Sequence, residues 1–486
     1  MMQRKNLYAV LILMLIAAGP CAWAAESGEI GTAKGRLGLD FKPVEFTPPK
    51  VNHAMLPNRI TLDHYEEKEP ALVTVLVQVG VGSVQDEPGK AGQAAMTASV
   101  IRTGGSTVTP GDKLDLLLDQ HGAQMEVDTD RERTIFRLSV LRPDLEWGLS
   151  LMAELLTKPA LPGGKLAEAV ARRKVDLRQR LDVPGDVAQA LFPQLVYGYG
   201  NPWGRTQTPK TLDAVTTADL RAFYSKYYRP SLMKLGMSGA VGFDEARRLA
   251  QKTFGPIDGD TTRSLALPGV EMINASRVYV VPRETNQNVI YIGHLGIKRF
   301  DPMKFPVKLL NGVMSGGFTS RLFSQVRTER GLAYSVYGNV GEGTVRGVFF
   351  NYALTKVEST MEVIDLMLRI DRDLQEAPPT PAEVRLARES DINSFVFFFD
   401  TAEKIVAQQM RLDSFGYPQD YLETYLEKLR GVSGEDIQKA ASEHLHPDRV
   451  IVLIVGAVDD PLRAKLEKEI GPITTISDEE LKEKWL

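Results

Sequence analysis

Six histidines are the side chains best suited to proton transfer or metal binding: His53, His64, His121, His294, His444 and His446. Only His444 and His446 are close in sequence, and two helical residues that far apart point to different faces. They read as the end of a helix before Pro447, not as metal ligands. The one cysteine, Cys21, lies in an apolar leader. Cleavage of that leader after Ala24 would remove the thiol and with it disulfides, cysteine nucleophiles and thiolate metal sites. There is no G-x-S-x-G elbow, and Gly89-Lys90 lacks the upstream glycine of a phosphate loop. A self-sufficient hydrolytic site is not visible.

The elements that would position any site follow from composition and periodicity. Hydrophobic residues make up 43% and charged residues 25% of 486 positions, a globular mixture large enough for several cores. Lys+Arg 58 against Asp+Glu 62 gives a net charge of −4 with no long basic run, which excludes a nucleic-acid partner. Arg4 and Lys5, the apolar run from Leu7 to Gly19 and Ala22-Trp23-Ala24 have the layout of an export signal. A lipoprotein reading at Cys21 is disfavoured by Pro20. No other segment is apolar enough to span a membrane, so a periplasmic or otherwise exported, soluble protein is expected. Strands are predicted near Arg59–Tyr65 and over Ala71–Val84, where Val73, Val75, Val77 and Val79 alternate. Helical patterns follow, and a Gly- and Pro-rich linker crosses Gly255–Gly269.

A similar order then recurs. Val215 to Val241 and Val432 to Val458 align without a gap at a displacement of 217 residues, with seven identities in 27 positions that include Pro230/Pro447 and Gly239/Gly456. Duplication is the simplest cause. The expected layout is a signal peptide at 1–24, an N-terminal extension with a first strand at 25–72, and half-domains at 73–256 and 277–471. A linker at 257–276 and a tail at 472–486 complete it. Strands and helices come in clumps, so the predicted fold is α+β: two duplicated halves, each a mostly antiparallel sheet with covering helices, arranged as a bowl or clamshell.

The segment Gly316-Gly-Phe-Thr-Ser-Arg-Leu-Phe-Ser-Gln-Val-Arg-Thr-Glu-Arg-Gly-Leu-Ala-Tyr-Ser-Val-Tyr337 resembles the second half-domain of the pitrilysin/insulinase family of zinc peptidases, which includes the mitochondrial processing peptidase. Gln287 and Asp301 fit the same pattern. The resemblance implies an inverted zinc motif, H-x-x-E-H, on the helix after the first main strand, with a further carboxylate downstream. At those positions stand Ala95, Ala98 and Ser99, with Asp176 near the downstream position. The alanines and serine cannot hold zinc strongly or serve as base. Asp176, among Arg172, Arg173 and Arg178, reads as an exposed helix residue.

The resemblance also implies roles for Arg327 and Tyr334. In the family this pair is contributed across a chamber to the zinc site, where a phenol can donate to a carbonyl oxygen gaining charge and a guanidinium can clamp peptide carbonyls. Without that context they would read as a salt-bridge partner and a core aromatic. The expectation is a non-catalytic subunit of a periplasmic heterodimeric zinc peptidase that docks unfolded peptide. Zinc would be bound by the partner, a family relative, and not by this chain. The alternatives are a non-enzymatic structural or peptide-binding protein on the same scaffold, or a self-sufficient hydrolase with an unrecognised site. Phe395-Val-Phe-Phe-Phe399 reads as core or as an exposed patch, and Glu479–Lys484 as a solvated helix face.

Overall fold

The computed structural model describes residues 46–259 and 265–485. The expected signal peptide lies outside the described residues. Strands β1 (Asn52–Met55), β2 (Thr61–Glu66), β3 (Leu72–Val79), β4 (Gln124–Thr129), β5 (Thr134–Leu141) and β6 (Met233–Gly239) form one sheet. Its order is β1-β2-β6-β3-β5-β4. After β7 (Arg277–Pro282) and β8 (Gln287–Leu295), a two-residue strand β9 (Ile297–Lys298) pairs with β11 (Glu342–Gly343). Strands β10 (Ala333–Val340), β12 (Val348–Lys356), β13 (Ile451–Gly456) and β14 (Ile473–Thr475) complete a second sheet, ordered β10-β12-β8-β13-β7-β14.

The two sheets match strand for strand. Each is antiparallel except where the opening strand of its half lies parallel to the late one, β2 on β6 and β7 on β13, and where β14 lies parallel to β7. The 217-residue displacement is visible in detail. Thr216 and Asp219 close a capping box at the start of helix Thr217–Tyr227, and Ser433 and Asp436 do the same for helix Gly434–His444. Each helix leads to a strand that ends on a glycine with positive φ, +116° at Gly239 and +158° at Gly456. A side chain at Gly239 would run into the carbonyl of Leu72 on the neighbouring strand.

The halves begin and end beyond the expected boundaries. Strand β2 sits inside the first sheet, so that half reaches back to Asn52 and includes part of the stretch read as an extension. The stretch read as a tail supplies edge strand β14 and buries Leu481 and Trp485, so Glu479–Lys484 is not a fully solvated face. The phenylalanine cluster is split: Phe395 and Phe399 are buried, whereas Phe397 and Phe398 are exposed.

Alternating valines predict a strand with one buried face, yet in β3 Leu76 and Gln78 on the opposite face are buried as well. The cause is an exchange of helices. Ala402–Phe415, from the second half, lies on β2 and β6, where Val406 and Met410 cover Leu76. Its counterpart in the first half, Pro184–Tyr197, lies on β8 and β13, where Val187, Leu191, Phe192 and Leu195 join Val289, Tyr291, Leu453 and Val455 in one apolar cluster. Each sheet is thus covered on one side by its own helices and on the other by a helix of its twin. Polar links reinforce the clasp, including Gln78 Nε2 donating to Ser414 Oγ (2.6 Å) and the phenol of Tyr197 donating to the carbonyl of Arg346 (2.9 Å).

Candidate functional site

Helix Lys304–Ser315 ends at a glycine pair, and the chain then enters a widened, π-type turn over Phe323–Thr328. There the amide of Glu329 reaches back five residues to the carbonyl of Ser324 (2.8 Å). Arg327 projects from this turn and is exposed. Gly331, with φ +62°, reverses the chain into edge strand β10. Tyr334 is the extra residue of a bulge there, since Ala333 pairs with Thr355 and Ser335 with Leu354. A bulge re-aims a side chain out of the pleat, and Tyr334 is 72% exposed.

The turn and the strand bring the pair together. The Arg327 guanidinium lies 5.7 Å from the Tyr334 ring centre and 4.8 Å from that of Phe323, and Phe323 meets Phe318 edge-on at 4.9 Å. Neither the guanidinium of Arg327 nor the hydroxyl of Tyr334 has a hydrogen-bond or carboxylate partner among the described residues. The surrounding scaffold is pinned. Asn311 exchanges two hydrogen bonds with the backbone of Val340, and Ser315 Oγ accepts from the amide of Gly338 (2.8 Å). These side chains occupy the open edge of β10 where a further strand would bind. Arg321 is paired with Glu383 (2.7 Å) on helix Pro381–Phe395. Sequence reasoning did not assign Phe318 or Phe323 a role. The four-residue spacing of Phe323 and Arg327 was the available signal.

The positions of the inverted motif lie elsewhere, on helix Gln93–Gly104. Ala95 and Ser99 are one turn apart and half-buried, while Ala98 is buried in the first core. Helix Gly163–Leu181 packs beside this helix. Its Asp176 is exposed and lies 3.7 Å from Arg173. A methyl, a hydroxyl and one arginine-paired carboxylate do not make a zinc-binding set, and no imidazole is near. No contact joins these positions to Arg327 or Tyr334 within the described residues.

The histidines are engaged in packing and ion pairs. His444 lies 3.3 Å from Asp301, and His294, in which burial pushes the pKa down to about 3, accepts from the amide of His446 (2.9 Å). Among the described residues one trio could hold a cation: His53, Asp63 and Asp413, with ligand atoms within 4.8 Å of one another. His53 Nδ1 is 2.9 Å from Asp63, whose carboxyl is pushed up to about 6 by burial. The trio ties β1 and β2 to the exchanged helix Ala402–Phe415 and includes none of the expected site residues. Its members are too far apart in sequence to have been grouped by spacing.

Comparison with known proteins agrees with this layout. The profile of the insulinase family (peptidase family M16) matches residues 64–192, and that of the peptidase M16 inactive domain matches residues 214–390. The chain belongs to the M16 peptidase family. An uncharacterized zinc protease of Streptomyces coelicolor is 26% identical over 365 residues, 73% of this chain and 78% of that protein. The uncharacterized zinc protease YmxG of Bacillus subtilis is 22% identical over 385 residues, 79% and 92% of the two chains. Among solved structures, an M16 inactive domain from Pseudomonas fluorescens superposes with a TM-score of 0.77 at 22% identity, covering 85% of this chain and 98% of that one. The periplasmic protease PqqL of Escherichia coli gives 0.70 at 14% identity, with 88% of this chain and 50% of PqqL covered. The two M16 halves are therefore a shared fold. No helix among the described residues is long and apolar enough to cross a membrane.

Proposed function

We propose that this chain is the non-catalytic subunit of an exported, periplasmic heterodimeric zinc peptidase. It docks unfolded peptide and presents Arg327 and Tyr334 to a site whose metal is held by an M16 relative carrying H-x-x-E-H. The observation that carries this reading is a division within the one chain. Helix Gln93–Gly104 has lost every group needed for metal chemistry, while Arg327 and Tyr334 are held side by side with their polar ends free. A guanidinium poised between two aromatic rings keeps its fork of donors for peptide carbonyls. The phenol hydroxyl is available to a carbonyl oxygen that gains charge as a peptide bond is attacked. Zinc bound by the partner would supply the activated water.

The test is reconstitution with an exported relative bearing the intact motif. Tyr334→Phe removes one hydroxyl and should lower turnover of the confirmed complex roughly 10²-fold, the usual consequence of losing an oxyanion donor. Unchanged turnover rejects the role. The isolated chain should hold no tightly bound zinc at helix Gln93–Gly104; about one chelator-sensitive zinc per chain that depends on Asp176 would reject the division of labour.

A further inference from the structure

A cleft of about 510 Å³ opens at the N-terminal end of helix Gln93–Gly104. Its walls come from the segment Ser83–Gly92 that leads into that helix, helices Gly163–Leu181 and Pro184–Tyr197, the β4–β5 hairpin and the loop after Tyr197. Four guanidiniums line it: Arg131, Arg173, Arg180 and Arg205. Two carboxylates, Asp86 and Asp186, line it as well.

The carboxylates are outnumbered, and one of them is committed. Asp86 is buried and accepts from the amides of Gly92 and Ala94, both at 2.7 Å, so it caps the helix that starts there. Asp186 lies in the first turn of helix Pro184–Tyr197, where the helix dipole favours a negative charge. The arginines are only partly compensated. Arg173 donates to Gln207 (2.6 Å) and approaches Asp176, and Arg205 donates to the backbone carbonyl of Asp86. Arg131 lies against the Tyr197 ring at 5.3 Å. Neither Arg131 nor Arg180 has a carboxylate within ion-pair distance among the described residues. Arg173 and Arg180, two turns apart on one helix face, repel each other; burial first and then this repulsion lower the pKa of Arg180, only partly offset by the fields of Asp186 and Asp176. Like charges gathered at a partly desolvated wall, four guanidiniums against two carboxylates, are stabilised by an incoming anion.

We propose that this cleft binds the carboxylates of an acidic peptide segment, taken as Asp or Glu side chains or as a free C-terminus. Planar guanidinium forks match carboxylates in a bidentate manner, and the volume admits several groups rather than one small ion. The peptide identity of the ligand rests on the docking role proposed above, whereas the preference for anions rests on the arginines alone. The chain would thereby select acidic substrates through its first half while the second half presents Arg327 and Tyr334.

The experiment uses the full chain without a partner and a fluorescent extended peptide of about ten residues ending in Asp-Glu-Glu. Comparison peptides are its Asn-Gln-Gln counterpart and forms of both with an amidated C-terminus; inorganic phosphate is the competitor. The acidic peptide should bind at least tenfold more tightly than the C-terminally amidated Asn-Gln-Gln peptide, with affinity falling as salt rises. Arg180→Gln should weaken it severalfold, and R131Q/R180Q should abolish the preference. Thermal stability should hold, since neither side chain has an ion pair to lose. Amidation of the Asn-Gln-Gln peptide separates a C-terminal carboxylate from side chains as the recognised source. Equal binding of the acidic peptide and the C-terminally amidated Asn-Gln-Gln peptide, phosphate binding without that preference, or an unchanged double variant would each overturn the assignment. An acidic preference that survives while Tyr334→Phe leaves turnover unaffected would retain the cleft and discard the docked tyrosine. The opposite pair of results would do the reverse.

Discussion

At the residue scale, Arg327 and Tyr334 illustrate how position separates packing from presentation. A core tyrosine hides its ring and satisfies its hydroxyl, but Tyr334 does neither. Tyr334→Phe should therefore change the free energy of urea unfolding by no more than about 0.5 kcal/mol, the usual range for a surface substitution. A larger loss would mean that the hydroxyl has a structural partner. Arg327→Lys keeps the charge but loses the planar fork and much of the stacking on Phe323. In a reconstituted complex it should raise KM about tenfold or more while stability stays level; unchanged KM and kcat would leave Arg327 no docking role. Arg327, Tyr334, Ala95, Ala98 and Ser99 could be singled out in the sequence because they stand at positions that match the family's motifs. The aromatic stack under Arg327 was not, since spacing alone does not tell which exposed rings a turn gathers. The arginine cleft was equally hidden: Arg173 beside Asp176 reads as a solvated helix face until Arg131 and Arg205 arrive from other elements.

At the scale of elements, the duplicated order of strands and helices could be read from the sequence because Pro230/Pro447, Gly239/Gly456 and the helix starts at Thr216/Ser433 keep one register. The exchange of helices could not. Periodicity reveals that Pro184–Tyr197 and Ala402–Phe415 have apolar faces, but not that each covers the sheet of the other half. Close approach is allowed at Gly236 in β6, where an added Cβ would lie 2.7 Å from Val406 Cγ1 and against Met410. Gly236→Val should force the exchanged helix outward and cost about 1–3 kcal/mol, the range for overpacking a core. Gly185 opens the other exchanged helix and has nothing within 4 Å of an added Cβ. Gly185→Ala should be neutral or stabilising by up to about 1 kcal/mol through its lower unfolded-state entropy. Equal unfolding midpoints for Gly236→Val and the parent chain would show that the helix does not bear on β6.

For the whole molecule, three buried carboxyls and three buried or half-buried histidines should pull stability in opposite directions as pH varies. Burial pushes Asp86 and Asp371 up to about 7 and Asp63 up to about 6; repulsion by Asp413 adds to the last. A folded-state pKa above the unfolded value means that the native state binds the extra proton. The corresponding stability is fully present below about pH 4 and is lost as pH rises through 6 to 7. The capping carboxylates Asp219 and Asp436 work in the opposite sense. Hydrogen bonds, from Lys90 and Thr216 to one and from Ser433 to the other, outweigh any burial and hold both below the ordinary value, so their contribution fails only in more acidic solution. Burial holds His64, His294 and His446 below the ordinary value, so below about pH 6.5 the unfolded chain takes up protons there and these groups make stability rise with pH. They work against the buried acids, each of which approaches a slope of about 1.4 kcal/mol per pH unit within its window. Asp371 offers the cleanest test. It is fully buried, its two oxygens accept from Asn351 Nδ2 at 3.0 and 3.1 Å, and Asn351 Oδ1 has no partner. Asp371→Asn removes the charge and introduces an amide chemically able to serve that orphaned oxygen. Denaturation at pH 5, 6, 7 and 8 should show the variant gaining on the parent chain as pH rises through about 7, so that the two curves diverge, because the histidine contributions are common to both. Parallel curves would mean that Asp371 is not the proton that folding retains.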